Sequence, residues 1–370
     1  MNRLLIISTF VLLSGCYLSD EVAPDQAVWD YAQPNEVGLS NGVLKDLDQA
    51  IKNEEYGFIN GLTIVRNDQL VFENYYTGGN RESLFSIGRN SVNIAIFLFD
   101  SFISAGLINS IDVPIYTYLE DYENIFNSNP DKKLITFRHL LLNKSGLVWN
   151  ESIVSSIRIN SDLQMMKNTA DWAGYVLSKD LEATPGIRTS INSGSGVILA
   201  RIYQSLLKDL DLETYIQNEL FDPMSIGNYF IQSTPEGSLN LTDGVKLETL
   251  DFAKLGYLSL LEGRWINKSR IIDRDWLLDT QTVVTVFNNN YGLGYGWWIF
   301  SPSFVQQRLP GATSCFLMSG GNGTNIYILP NLNMVVCISA ENYYNSSIYN
   351  QSLAILFETL RTTRRETGNQ

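Results

Sequence analysis

The chain has 370 residues, with one histidine, three cysteines and a formal charge of −13. A single imidazole excludes any multi-histidine metal cluster and leaves His139 as the one base on which a Ser-His-Asp triad could be built. With 26 Lys and Arg against 39 Asp and Glu there is no broad electrostatic reason to bind nucleic acid, while 45% hydrophobic residues befit a chain that buries a large core.

At the N-terminus Arg3 precedes a mostly apolar run, Leu4 to Leu13, which is shorter than the ~20 apolar residues a bilayer span requires. Leu13-Ser14-Gly15-Cys16 follows, and this tetrapeptide resembles the lipobox of bacterial lipoproteins. The resemblance implies a signal peptide over residues 1–15, lipid attachment at Cys16 and a polar tether over residues 16–33. The membrane is then a partner through the N-terminal lipid, and the protein sits in the bacterial cell envelope, outside the cytoplasmic membrane. Tyr17, in place of the Asp that retains such proteins at the inner membrane, points to the outer membrane where the host has one. An ordinary secretory signal with an incidental cysteine is the alternative.

Past the tether no repeat or low-complexity block divides the chain. Ser40 reads as the N-cap of a helix carrying Leu44, Leu47 and Ile51 at helical spacing. GLTIVRN and QLVFENYY read as strands joined in a hairpin at Asn67-Asp68. Residues Ile87 to Leu107 form a segment apolar nearly all round, ended by Gly106, and a helix without a polar face belongs at the centre of a molecule. From Leu134 to Leu278 the pattern is helical. Strand-like runs return in YGWWIF, SCFLMS, NIYILP and MVVCISA, and a last amphipathic helix covers Ser347 to Leu360. Strands at both ends around a helical insert predict an α+β fold: an antiparallel sheet flanked by helices, with a mostly helical subdomain. The expected division is a main domain over residues 34–362, its α/β part formed by 34–88 and 290–362 and its helical part by 89–289, and a tail over 363–370. Cys315 and Cys337 fall on strands that a simple meander keeps apart, which favours two buried free thiols over a disulfide.

The order TIVRNDQLVFENYY, LFSIGRNSVNIAIFLFDSFISAGLI, ITFRHLLLNKSGLVW, ATPGIRTSINSG, LFDPMSI, LETLDFAKLGYLSLLEGRWINKSRII, YGWWIF and GGNGTNIYILPNLNMVV resembles the penicillin-recognising serine hydrolases. The resemblance is to the class C β-lactamase-like branch that includes 6-aminohexanoate-dimer hydrolases and esterases, and it runs from about Val37 to the C-terminal helix. It implies a β-lactamase/transpeptidase-like fold and a cofactor-free, metal-free chemistry. In that chemistry a Ser at the start of the buried helix attacks a carbonyl, a Lys three residues on takes its proton, and a Tyr across the cleft shuttles it.

Carried onto this chain, the nucleophile position falls on Arg89, the lysine position on Val92 and the tyrosine position on Ile191, with Ser193 at the third place of the tyrosine motif. The wall motif falls near Gly321-Asn322-Gly323, without a cation. The candidate pocket is therefore Arg89, Val92, Ile191, Ser193, Asn322 and Gly323, with no catalytic residue intact. Other sites fit less well. Ser205-x-x-Lys208 lies on a solvated helix face, Lys144-Ser145-Gly146 in a turn, and Ser91 should point away from the cleft. Ser86, three residues before Arg89, is the fallback nucleophile, but arginine stays protonated and cannot be its base. His139, in FRHLLL, reads as a packing residue, and Trp297-Trp298 as core or cleft wall.

Two functions of different class follow. One is a non-catalytic binding or scaffolding protein whose ligand is small and anionic or peptide-like, because Arg89 would set a positive charge at the pocket floor; its protein partner is not legible. The bland variant has Arg89 paired internally with a carboxylate and the cleft closed. The other function is an active ester, amide or peptide hydrolase with a rearranged nucleophile.

Overall fold

The structure, a computed structural model, describes residues 28–151, 161–342 and 347–361. The signal segment, Cys16, most of the tether and the tail over 363–370 lie outside the described residues. Strands β1 (Asp30–Tyr31), β2 (Ile59–Arg66) and β3 (Gln69–Tyr75) come from the N-terminal segment. Strands β4 (Phe85–Ser86), β5 (Tyr229–Ile231) and β6 (Val245–Leu247) make a small sheet in the order β4-β6-β5. The C-terminal third supplies β7 (Thr285–Val286), β8 (Tyr291–Leu293), β9 (Trp298–Phe300), β10 (Phe316–Ser319), β11 (Asn325–Leu329) and β12 (Met334–Ala340). Together they form a nine-stranded sheet in the order β1-β3-β2-β12-β11-β10-β9-β8-β7, antiparallel except where β1 runs parallel to β3.

Local chemistry accounts for these elements. Asn67 and Asp68 both take positive φ, 52° and 62°. Such a two-residue turn matches the twist of the flanking strands and fixes the β2–β3 hairpin. Strand β12 has no polar face because both of its faces are covered. Val335 and Cys337 join one core with the helices Ser91–Ser104, Ser195–Leu206 and Thr249–Leu260. Met334, Val336 and Ile338 join the other, under the helices Asn41–Lys52 and Ile348–Arg361. Ser40 caps the first of these two helices, its hydroxyl accepting from the Val43 amide at 3.4 Å.

The long apolar helix begins later than expected, at Ser91, because residues Gly88–Asn90 form a 3-10 turn ahead of it. The segment 89–289 is not a helical body throughout. It contains β5, β6 and β7, and its helix Thr249–Leu260 packs on β2, β11 and β12. That helix is buried on nearly every side, so it can only sit centrally. Cys315 and Cys337 are free, buried, and separated by β11, and burial pushes both thiols up.

Candidate functional site

The site is assembled where the Ile87–Asn90 turn meets the end of β10. Gly88 has φ +58°, and a methyl group there would run into the Gly320 carbonyl. This close approach lets the Arg89 amide donate to Gly320 O at 3.1 Å. The Arg89 side chain then passes over Gly321, whose φ is +80° and where a methyl would collide with the guanidinium.

Arg89 Nη1 meets Glu151 Oε1 at 3.2 Å, the two side chains being 13% and 1% exposed. The second carboxylate oxygen accepts from Trp149 Nε1 at 2.7 Å, from Ser193 Oγ at 2.5 Å and from the Ser193 amide at 3.3 Å. Glu151 thus ties together two segments that the family motifs name separately, the head of the buried helix and the loop before the helix Ser195–Leu206. The fixed charge that made an anion the expected ligand is matched from within the chain.

The cleft is nevertheless open. A cavity of about 390 Å³ is lined by Arg89, Val92, Ile191, Ser193 and Gly323, so the structure brings five of the six expected pocket residues together. The sixth, Asn322, is a correction: it is buried outside the lining, donating to Ala340 O at 2.9 Å and accepting from the Thr324 amide at 3.2 Å. It fastens the turn that carries Gly321 and Gly323. Ser86 also lies outside the lining; its hydroxyl accepts from the Gly88 amide at 3.1 Å and its carbonyl accepts from Thr324 Oγ1 at 3.2 Å.

The other motif serines close their own turns. Ser91 Oγ donates to Gly88 O at 2.7 Å, Ser205 Oγ donates to Ile202 O at 2.7 Å, and Ser145 Oγ accepts from the Leu147 amide at 3.3 Å. His139 is half-buried away from the lining, its Nδ1 accepting from the Thr136 amide at 3.2 Å at the start of its helix. Burial holds its pKa below the usual histidine value. Trp297 and Trp298 both line the cavity, although Trp297 belongs to one core and Trp298 packs against the other.

Among the described residues the lining holds neither lysine nor histidine, so a serine facing this space has no amine or imidazole from them beside it. Among the described residues no group of three or more His, Cys, Asp or Glu side chains converges on a metal position. What the lining does hold is a set of buried neutral polar groups that sequence reasoning passed over. Asn93 Nδ2, both amide atoms of Asn192, Ser195 Oγ and Asn325 Oδ1 are buried without a hydrogen-bond partner among the described residues. Helical spacing was a usable signal for Asn93, one turn beyond Arg89. Glu151 had none, since its contact with Arg89 joins segments 62 residues apart.

Comparison with known proteins agrees with this fold. The family model described as Beta-lactamase matches residues 61–350. A protein from Bacillus anthracis assigned as a 6-aminohexanoate-dimer hydrolase is 17% identical with a TM-score of 0.69, over 91% of this chain and 89% of that one. A penicillin binding protein from Bacillus halodurans is 14% identical with a TM-score of 0.61, over 84% and 98% of the two chains. A class C β-lactamase from Rhodobacter sphaeroides is 15% identical with a TM-score of 0.59, over 86% and 98%. No curated protein matches this chain in sequence.

Proposed function

From the premise that this chain belongs to the beta-lactamase family, we propose that it is a binding or scaffolding protein that has stopped hydrolysing, held by an N-terminal lipid in the bacterial cell envelope. The observation that carries the reading is the Arg89–Glu151 ion pair at the place where the family keeps its nucleophile. Arginine has no leaving proton at working pH and offers no nucleophilic atom. Val92 and Ile191, at the places of the lysine and the tyrosine, can neither take a proton nor pass one on. The amide of Arg89, a backbone donor at the head of the helix, is engaged by Gly320 O rather than left for an oxyanion. A catalytic unit that loses one member commonly loses nearly all of its rate, and here three positions are changed together.

Incubation with a fluorophosphonate probe and with a fluorescent penicillin tests this. The expected result is no stoichiometric adduct; acylation mapped by mass spectrometry to Ser193, Ser86 or any other serine would overturn the reading in favour of an active hydrolase. Membrane attachment is tested separately. A Cys16→Ser variant should leave the membrane fraction, and persistence there would sink the lipid anchor.

A further inference from the structure

We infer that the β7 edge of the nine-stranded sheet is an interface for a second copy of this chain, the two edges pairing antiparallel about a two-fold axis. The inference is independent of whether the cavity hydrolyses or binds.

The sheet has two edges, β1 and β7. An uncovered edge strand offers unpaired N–H and C=O groups to any other strand, and proteins guard such edges with charge, proline, bulges or shortness. Both edges here are two residues long. The β1 edge also carries the exposed Asp30. The β7 edge has no such charge: residues 280–307, which run from before β7 to beyond β9, contain no Asp, Glu, Lys or Arg in a chain that is 18% charged, and no proline stands between 280 and 301.

This edge is apolar and open. Val283, Val284, Val286 and Phe287 are all exposed, Val286 at 77%. A neighbouring loop extends the patch, with Thr189 Oγ1 3.1 Å from Thr285 Oγ1 and Ile187 76% exposed. Arg188, between them, faces Glu182 at 2.8 Å and so adds no net charge. In the β7–β8 ladder Thr285 pairs with Leu293 and Val286 with Gly292, and the Phe287 amide donates to Tyr291 O at 3.0 Å. Hydrogen-bonded and non-bonded pairs alternate along an antiparallel ladder, so the backbone groups of Thr285 and Phe287 turn to β8 while the N–H and C=O of Val286 turn outward. A lipid surface could cover the valines but could not serve these backbone groups. A strand serves both.

Charge identifies that strand as the chain's own. At −13, two copies repel over most of their surfaces. The uncharged, β-branched patch meets itself without bringing acids together, which is the isologous contact a two-fold dimer requires. A strongly charged partner finds no complement here. Pairing centred on Val286 sets its two copies opposite each other, their Cα atoms about 5.5 Å apart. One sheet then runs through both copies, and the seam lies next to each cavity, which Phe287 and Tyr291 help to line.

Sedimentation equilibrium of the full chain carrying Cys16→Ser, which removes the lipid, should show a monomer–dimer equilibrium with a dissociation constant of about 10 µM or tighter. Val286→Lys should weaken it at least about tenfold by setting like charges opposite each other. Val286→Pro, which removes the outward N–H and adds no charge, should do the same. Both variants should melt like the parent, because the position is exposed. Cross-linking gives a second measurement. In oxidising buffer Val286→Cys should form a disulfide-linked dimer, since the two copies are within disulfide reach and Cys315 and Cys337 are buried. Tyr31→Cys, on the exposed β1 edge, should not. A chain that stays monomeric at about 100 µM overturns the inference. So does a dimer that both Val286 variants leave intact, or one that Val286→Lys breaks and Val286→Pro does not, which would be apolar contact without strand pairing. Cross-linking through Tyr31→Cys in place of Val286→Cys overturns it as well, as does a monomer that binds phosphatidylethanolamine–phosphatidylglycerol vesicles through Val286.

Discussion

Two regions of this molecule each bury an ion pair, and they treat the groups around it differently. On the helix Thr249–Leu260, Lys254 Nζ meets Asp251 Oδ1 at 2.8 Å with side chains 1% and 7% exposed, and also donates to Ser225 O at 2.8 Å. Two neighbouring polar groups there are satisfied, Thr249 Oγ1 donating to Ser339 Oγ at 2.9 Å and Tyr257 to Asp68 at 2.6 Å, while Trp29 Nε1, edge-on to the Tyr257 ring, has no partner among the described residues. Around Arg89 and Glu151 the charges are paired, but the amides of Asn93, Asn192 and Asn325, which line the same cavity as Arg89, keep atoms with no partner among the described residues. The first region is satisfied at its charges and at the groups directly beside them. The second is satisfied at its charges but not at these buried neutral groups, whose residues border a cavity.

Cutting the cation out of each pair is the strongest way to separate the two. Lys254→Ala leaves a buried carboxylate and an unserved Ser225 carbonyl, and should cost about 3–5 kcal/mol, read as a shift in urea midpoint. Adding Asp251→Asn should recover only part of this, because the Ser225 carbonyl still lacks its donor. Arg89→Ala strands Glu151 in the same way, but the arginine end is partly exposed and Trp149 and Ser193 still hold the carboxylate; a loss of about 2–3 kcal/mol is expected. Here Glu151→Gln in the same chain should restore most of it. If the two double variants recover alike, the regions do not differ as described.

A smaller effect tests how the arginine is seated. Gly321→Ala places a methyl against the guanidinium at a backbone angle of +80°. The variant should lose about 1–2 kcal/mol, and less than that in an Arg89→Ala background where the side chain is gone. Additive losses in the two backgrounds would mean that the strain lies in the backbone alone.

The same contrast decides what could be read from the sequence. The sheet's central strands, the caps and the buried helices were legible because their signals are local: alternation or continuous apolar runs, Ser40 before a helical stripe, Asn-Asp between two strands. The placement of Arg89, Val92, Ile191 and Ser193 in one pocket was legible because the surrounding landmarks LLLNKSGL and DFAKLGYL are packing features that keep their order even when the chemistry between them changes. What was not legible is what needs distance. Glu151 has no pattern around it, and its bond to Arg89 exists only once two remote segments meet. Asn322 looked like a pocket residue because its neighbours Gly321 and Gly323 line the cavity, yet its own side chain turns to Ala340 O. The extent of the helical part is not legible in the sequence, because a helix apolar all round does not say which sheet or helix will cover it.

The smallest expected effect concerns the lone histidine, whose ring is hydrogen-bonded at the start of its own helix. The neutral ring accepts from the Thr136 amide through Nδ1, and protonation would both remove that acceptor and charge a half-buried group. Burial accordingly lowers its folded-state pKa. The sign follows from proton uptake: below the unfolded value, about 6.5, the unfolded chain binds the proton more readily than the folded one, so stability rises with pH across this window. The stabilisation is fully present above about pH 6.5 and is lost as pH falls through the folded pKa. Urea midpoints measured from about pH 7 to pH 5 should fall for the natural chain, and should stay flatter for His139→Asn, whose side-chain oxygen can still accept from Thr136. Identical slopes would assign the pH dependence elsewhere.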